Sequence, residues 1–183
     1  RHPLIAKMTI TGSTRTGAAI MASCALQGPK PVTLELGGKS PQLVFDDAPD
    51  LDRLAGIIAG AITGNAGQVC VAGSRLIVQR GIAEALVDRI AARFAALRPG
   101  ATWDADATLP PIISAPQAAR ILDIVERARD AGAQVRCGGG LFDGGPGGAY
   151  FQPTLMEGVT ASNPAVQEEI FGPVISVTTF KDE

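Results

Sequence analysis

Two reactive side chains sit in small, glycine-rich surroundings. Cys70 lies in Gly67-Gln68-Val69-Cys70-Val71-Ala72-Gly73-Ser74, and Glu35 lies upstream in Leu34-Glu35-Leu36-Gly37-Gly38-Lys39-Ser40-Pro41. Glycine lets a substrate and backbone amides come close to a reacting sulfur. A thiolate adds to carbonyl carbon, and a carboxylate can take a proton from water, so the pair reads as nucleophile and base. A thiol with an ordinary pKa of about 8.5 is only about 3% thiolate at pH 7, so a nucleophile needs local activation. By residue type alone, Cys70 is equally a catalytic thiol and a small buried one.

Other segments carry weaker signals. Thr11-Gly12-Ser13-Thr14-Arg15-Thr16-Gly17 lies where a strand feeds a helix. It is either an anion cradle of unpaired amides or an ordinary capped turn, since it is not the dinucleotide pattern G-x-G-x-x-G. Gly38-Lys39-Ser40 suggests a P-loop, but Thr33 stands where the first glycine is required. The glycine-rich stretch Gly138 to Gly148 contains Pro146 and has no Lys-Ser/Thr ending, which favours a plain connection. His2 is the sole histidine, so a histidine-based triad would have to use the chain's second residue and a multi-His metal site is excluded. Cys24 and Cys137 read as structural thiols. Gln167-Glu168-Glu169-Ile170-Phe171-Gly172-Pro173 is either a solvated helix end or a site where a carboxylate meets ribose hydroxyls and Phe171 meets a flat ring.

These residues need a scaffold, and 183 residues suit one domain or one domain plus part of another. A chain of this size can bury roughly 70% of its unfolded surface. Hydrophobic residues make up 46%, charged residues 19% and aromatics 4%, the composition of an ordered α/β protein. The net charge of −2 leaves no electrostatic footprint for nucleic acid, and no Lys/Arg run marks a membrane surface. The longest apolar stretch, Leu54 to Ile62, is about half a bilayer span. Gly56, Gly60 and Gly64 recur there, which predicts a buried helix packed very close to a neighbour. Three cysteines without metal-like spacing point to reduced thiols in a cytoplasmic protein. The first residue is Arg1 rather than Met and no signal-peptide pattern follows, so a piece of a longer protein is expected.

Hydrophobic periodicity predicts strands at Ile5–Ile10, Val32–Leu36, Gln42–Phe45, Arg75–Gln79, Gln134–Cys137, Thr154–Met156 and Val174–Phe180. Helices are expected over Ala18–Leu26, over Leu51–Thr63 after an Asp50 cap, and over Ile82–Leu97. A further helix should open with a Ser114/Gln117 capping box and run to Ala131, and a short one should start at Asn163-Pro164. The alternation implies βαβ units and a largely parallel sheet flanked by helices.

Taken in order, the motifs resemble those of the aldehyde dehydrogenase superfamily. They are Thr11-Gly12-Ser13-Thr14, Leu34 to Pro41, Gly67-Gln68-Val69-Cys70 with Ala72-Gly73-Ser74-Arg75, Pro153-Thr154, and Glu168-Glu169-Ile170-Phe171-Gly172-Pro173-Val174. The resemblance covers essentially the whole chain. It implies that Cys70 adds to an aldehyde and that Glu35 activates the water that hydrolyses the resulting thioester. It further implies NAD or NADP as cofactor, with Gly12 and Ser13 near the pyrophosphate, Leu36 at the nicotinamide end, Glu169 on the nicotinamide ribose and Phe171 beside it. No metal is implied. Residues 1–35 would be the end of the Rossmann-type cofactor domain, and 36–183 an incomplete catalytic domain.

The family's upstream asparagine and lysine, the Rossmann strands that carry them and its C-terminal oligomerisation strand have no counterpart in these residues. The expectation is therefore a homodimeric or homotetrameric enzyme when full-length, and an isolated chain that is inactive. A CoA-acylating relative is the alternative enzyme, disfavoured by Glu35, and a non-catalytic scaffold remnant is disfavoured by the retention of Cys70 and Glu35.

Overall fold

The computed structural model describes residues 2–26, 28–142 and 148–182. The chain divides into two compact units, Arg1–Gly38 and Lys39–Glu183.

The first unit is a single βαβ element. Strand β1 (Met8–Gly12) pairs in parallel with β2 (Val32–Leu36), from Met8↔Val32 to Gly12↔Leu36. Between them runs helix α1 (Thr14–Ala25). The expected first strand starts too early, because Leu4 and Ile5 are exposed and the pairing with β2 sets the strand two residues past Ile10. The helix begins four residues before Ala18, since Ser13 caps it by accepting the Thr16 N–H at 3.2 Å. A polar first turn conceals a helix from hydrophobic periodicity. Gly17 is where the helix meets the sheet, and a Cβ there would lie 3.0 Å from Leu36 Cδ2.

The second unit is built on a five-stranded sheet in the order β3-β4-β7-β6-β5. The strands are β3 (Pro41–Val44), β4 (Arg75–Gln79), β5 (Gln134–Cys137), β6 (Thr154–Glu157) and β7 (Val174–Phe180). All neighbours are parallel except β5, which lies antiparallel on β6 at the edge. Helices α2 (Leu51–Thr63) and α3 (Arg80–Ala95) contribute Ile58, Ile62, Leu86 and Ile90 to one core, against Leu76, Val78 and Ile175 of the strands. Helix α4 (Ala115–Asp130) contributes Ile121, Ile124 and Val125 to a second core with Met156 and Val174. Successive residues of a strand therefore face different cores, Val174 one and Ile175 the other, as a two-residue side-chain period requires. Strands covered on both faces read as continuous Val/Ile/Leu runs. A one-turn helix, α5 (Pro164–Gln167), is capped by buried Asn163, which also donates to the Ala128 carbonyl at 3.0 Å.

Two further expectations are corrected. The glycine series on α2 does not mark close helix packing: a Cβ on Gly56 would only touch Arg93 at 3.7 Å, and Gly60 and Gly64 face open space. The buried face of α2 runs through Ala55, Ile58, Ala59 and Ile62 instead, so the glycines fall beside the packing stripe. The capping box is half formed. Ser114 accepts the Gln117 N–H at 3.3 Å, but the Gln117 side chain reaches away to other carbonyls. In the 138–148 connection, residues 143–147 lie outside the described residues. Among the described residues, no helix is long and apolar enough to cross a membrane.

Candidate active site

Cys70 follows a turn, Gly64–Gly67, that the chain can adopt only with left-handed backbone. Asn65 has φ 51°, Ala66 φ 52° and Gly67 φ 72°. Asn tolerates this region, but Ala does so at a cost of about 1–2 kcal/mol, so neighbours must impose it. They are visible. Asn65 Nδ2 donates to the Gln68 carbonyl at 3.1 Å, and Gln68 Nε2 donates back to the Asn65 carbonyl at 3.0 Å. Gln68 also reaches out of the turn, donating to the Pro111 carbonyl at 3.3 Å and accepting the Ile113 N–H at 2.9 Å.

Beyond the thiol, the chain is tied down again. The Ala72 N–H donates to the Val69 carbonyl at 3.0 Å, closing a tight turn with Cys70 inside it. Gly73 donates to the Ala61 carbonyl of α2 at 3.2 Å and accepts from Gln42 Nε2 of β3 at 2.8 Å. The thiol is half-buried between exposed Val69 and Val71. Cys24 is buried in α1 and Cys137 is half-buried at the end of β5, where burial pushes its thiol pKa up. All three cysteines are free.

The Glu169–Phe171 segment belongs to the same unit and is held from α4. Arg120 Nη2 donates to the Glu169 carbonyl at 3.0 Å, and Gln117 Nε2 donates to the carbonyls of Ile170 at 3.2 Å and Phe171 at 3.1 Å. These bonds support Phe171 at φ 57°, an outlier for an aromatic residue. Glu168 forms a two-pronged ion pair with Arg127 at 2.6 and 3.0 Å, which holds its carboxyl below the usual range. Glu169, also half-buried, is not part of that pair. Gly172 and Gly67 meet: a Cβ on Gly67 would sit inside the Gly172 carbonyl, and one on Gly172 would run into Ile121 of α4. The Cys70 turn and the Glu169–Phe171 segment thus touch through backbone.

Lys39, which belongs to the Leu34 to Pro41 motif and to the unmet P-loop pattern, comes within electrostatic reach of Glu169. Its stem is partly exposed, but Nζ is enclosed without a hydrogen-bond partner among the described residues. Burial, and then the Arg75 guanidinium, push its pKa from 10.5 down to about 8, while the Glu169 carboxylate pulls the other way. Arg75 in turn donates from Nε to the Lys39 carbonyl at 2.7 Å. Gln117 and Arg120 were missed as site residues, since nothing local marks a helix residue that reaches a segment some 50 positions away.

In the first unit, Gly12 closes β1, Ser13 caps α1, and Glu35 and Leu36 end β2. The Glu35 side chain is exposed and Leu36 is half-buried, against the site where Gly17 admits it. Glu35 belongs to one unit, and Cys70, Glu169 and Phe171 to the other. His2 accepts the Leu4 N–H through Nδ1 at 3.2 Å near the start of the chain. Among the described residues, no three His, Cys, Asp or Glu side chains gather as a metal site.

The aldehyde dehydrogenase family profile matches residues 1–183. The chain belongs to the aldehyde dehydrogenase family. Betaine aldehyde dehydrogenase 2 of Rhizobium meliloti (strain 1021) is 43% identical over 185 residues, covering 100% of this chain and 37% of that protein. A crystal structure of an NAD-dependent aldehyde dehydrogenase from Sinorhizobium meliloti superposes with TM-score 0.93 at 39% identity, over 100% of this chain and 36% of that one. An NADP-dependent enzyme of E. coli matches with TM-score 0.93 at 38% identity, over 100% of this chain and 37% of that one. The chain thus spans a little over a third of the length of these relatives.

Proposed function

We propose that an enzyme-length protein carrying this sequence oxidises a small aldehyde to a carboxylic acid with NAD or NADP, with Cys70 as nucleophile and Glu35 as base. The Cys70 sulfur adds to the carbonyl carbon, and the carbonyl oxygen becomes the oxyanion of a thiohemiacetal. When bound, NAD(P) supplies the acceptor for the hydride lost from that carbon. The oxyanion re-forms the carbonyl, leaving a thioester on Cys70. Glu35 takes a proton from water as the water attacks the thioester, and the acid leaves as Cys70 regains its thiolate. The sum is aldehyde plus water giving acid, one hydride and one proton, which balances.

The observation that carries this reading is the turn around Cys70. Consecutive left-handed residues, held by side-chain bonds to a distant segment, cost free energy and recur where chemistry needs a fixed geometry. Family membership supports the assignment, since both reactive residues sit in the motifs that carry the resemblance. The chain's residues also suit the cofactor. The capped N-terminus of α1 at Ser13 suits pyrophosphate, and Glu169, its backbone held by α4, suits ribose hydroxyls. In this reading residues 1–35 belong to the cofactor domain and 36–183 to the catalytic domain. The enzyme-length protein would form a homodimer or homotetramer, and the 183-residue chain alone would turn over little or no aldehyde.

The test is aldehyde-dependent reduction of NAD and NADP by the enzyme-length protein and by the 183-residue chain. Activity in the former, lost in Cys70→Ala, is expected. Glu35→Gln should still give a first-turnover burst of reduced cofactor but should stall at the thioester. Robust turnover by the 183-residue chain would refute its proposed inactivity, and full activity of Cys70→Ala would refute the mechanism.

A further inference from the structure

We propose that Gln68 is a positioning residue for Cys70, an inference that rests on Cys70 being the nucleophile. Its side-chain amide uses both ends. The NH2 group donates to the carbonyls of Asn65 and Pro111, and the oxygen accepts the Ile113 N–H. Its backbone joins in, since the Gln68 N–H donates to the Asn65 carbonyl at 3.1 Å and the Gln68 carbonyl accepts from Asn65 Nδ2. The single side chain therefore closes the left-handed turn internally and fastens it to residues 111–113, just before the Ser114 cap of α4.

The path continues from there. Helix α4 holds Glu169, Ile170 and Phe171 through Arg120 and Gln117, and Gly172 abuts Gly67, the residue before Gln68. Turn, cap, helix and Glu169–Phe171 segment form a closed loop of contacts, and Gln68 is the link that ties the nucleophile into it. Without its bonds the turn has less reason to keep Ala66 left-handed, and relaxation there swings the chain four residues before the thiol. A misplacement of about 1 Å in a reacting group can cost roughly 10²-fold in rate.

Three substitutions grade the effect. Gln68→Met keeps length and removes every side-chain bond. Gln68→Glu keeps the acceptor for Ile113 and loses both donors. Asn65→Gly keeps the left-handed backbone and removes only the Asn65 bond to the Gln68 carbonyl. In the 183-residue chain, iodoacetamide should label Cys70 faster in each variant, by about tenfold in Gln68→Met and less in the order given, with Cys24 and Cys137 unchanged. In the enzyme-length protein the same order should appear as a fall in kcat, to roughly 10²-fold for Gln68→Met, with the KM for NAD within a factor of about two. A merely structural role would accelerate Cys137, which lies in the same unit, together with Cys70. Cys70 labelling that is unchanged or slower in both Gln68 variants would overturn the inference while leaving the nucleophile assignment standing. A wild-type Cys70 that reacts no faster than Cys24 and Cys137 would remove the nucleophile assignment and the inference with it.

Discussion

The two units carry one of the two proposed catalytic residues each, and they hold it in opposite ways. Glu35 sits on a two-stranded sheet whose strands have no fully buried residue and whose helix buries only Gly17 and Cys24. Its side chain is exposed and its strand is ordinary. Cys70 sits in a unit with two cores, between a turn fixed by Gln68 and Gly73, which accepts from Gln42 and donates to the Ala61 carbonyl. Parallel sheets are stable when helices cover both faces, a condition met by the five-stranded sheet and not by the pair β1–β2. The lesson is that a sequence motif singles out a candidate residue equally well in both units, whereas the fold within each unit secures only one of them.

The comparison is most exposed to amide exchange. In the 183-residue chain, amides of β4 and β7 should be protected on the order of 10³-fold more than those of β1 and β2, because local opening free energies follow buried apolar contact. Equal protection would mean that the βαβ element is stable by itself and that the contrast fails.

A pair of glycines sharpens it inside the second unit. Gly67→Ala should destabilise by more than about 2 kcal/mol in urea unfolding, since φ +72° disfavours a side chain and the Gly172 carbonyl occupies the space. Gly60→Ala, exposed on α2 with open space around it, should stabilise by about 0.5–1 kcal/mol. Opposite signs for two chemically identical changes would locate the constraint at the Cys70 turn. Matching signs would deny it.

The smallest expected effect is the pH dependence of Lys39. Its pKa is about 8 in the folded unit and 10.5 as an ordinary lysine, so between those values the unfolded chain holds more protons. Stability conferred by this group should therefore rise with pH across that window. The difference between wild type and Lys39→Met, followed by urea midpoints from pH 7.5 to 10.5, should show that rise. A flat difference would place the amine in water rather than in the enclosure beside Glu169.

Much of the second unit was legible because its elements are regular. The bounds expected for β4, β5, β7 and α2 match the structure, where apolar runs in β4 and β7, alternation in β5 and the Asp50 cap of α2 state the answer locally. What the sequence concealed depends on partners far along the chain. Gln117 reads as a capping residue, yet its side chain serves the Ile170 and Phe171 carbonyls. Nothing local in Asn65-Ala66 announces a left-handed backbone, which is held by bonds to Gln68 and, through Gln68, to Pro111 and Ile113. The α2 glycines misled because spacing alone cannot say on which side of the packing stripe they fall. Cys70 was recognisable from the motif around it, but the device that holds it was not.

The centre of the five-stranded sheet joins Arg75 to Ser176 and Gln79 to Phe180. About a hundred residues must therefore leave the ribosome after β4 before its central neighbour exists. Until β7 arrives, Leu76 and Val78 have an open strand edge beside them, and the α2–α3 face has only β3 and β4 to cover it. Parallel pairing at such separation is slow and exposes partly folded chains to association. Synthesis of this polypeptide should accordingly be sensitive to translation speed and chaperone supply, with ribosome-bound chains ending before residue 174 the ones that aggregate.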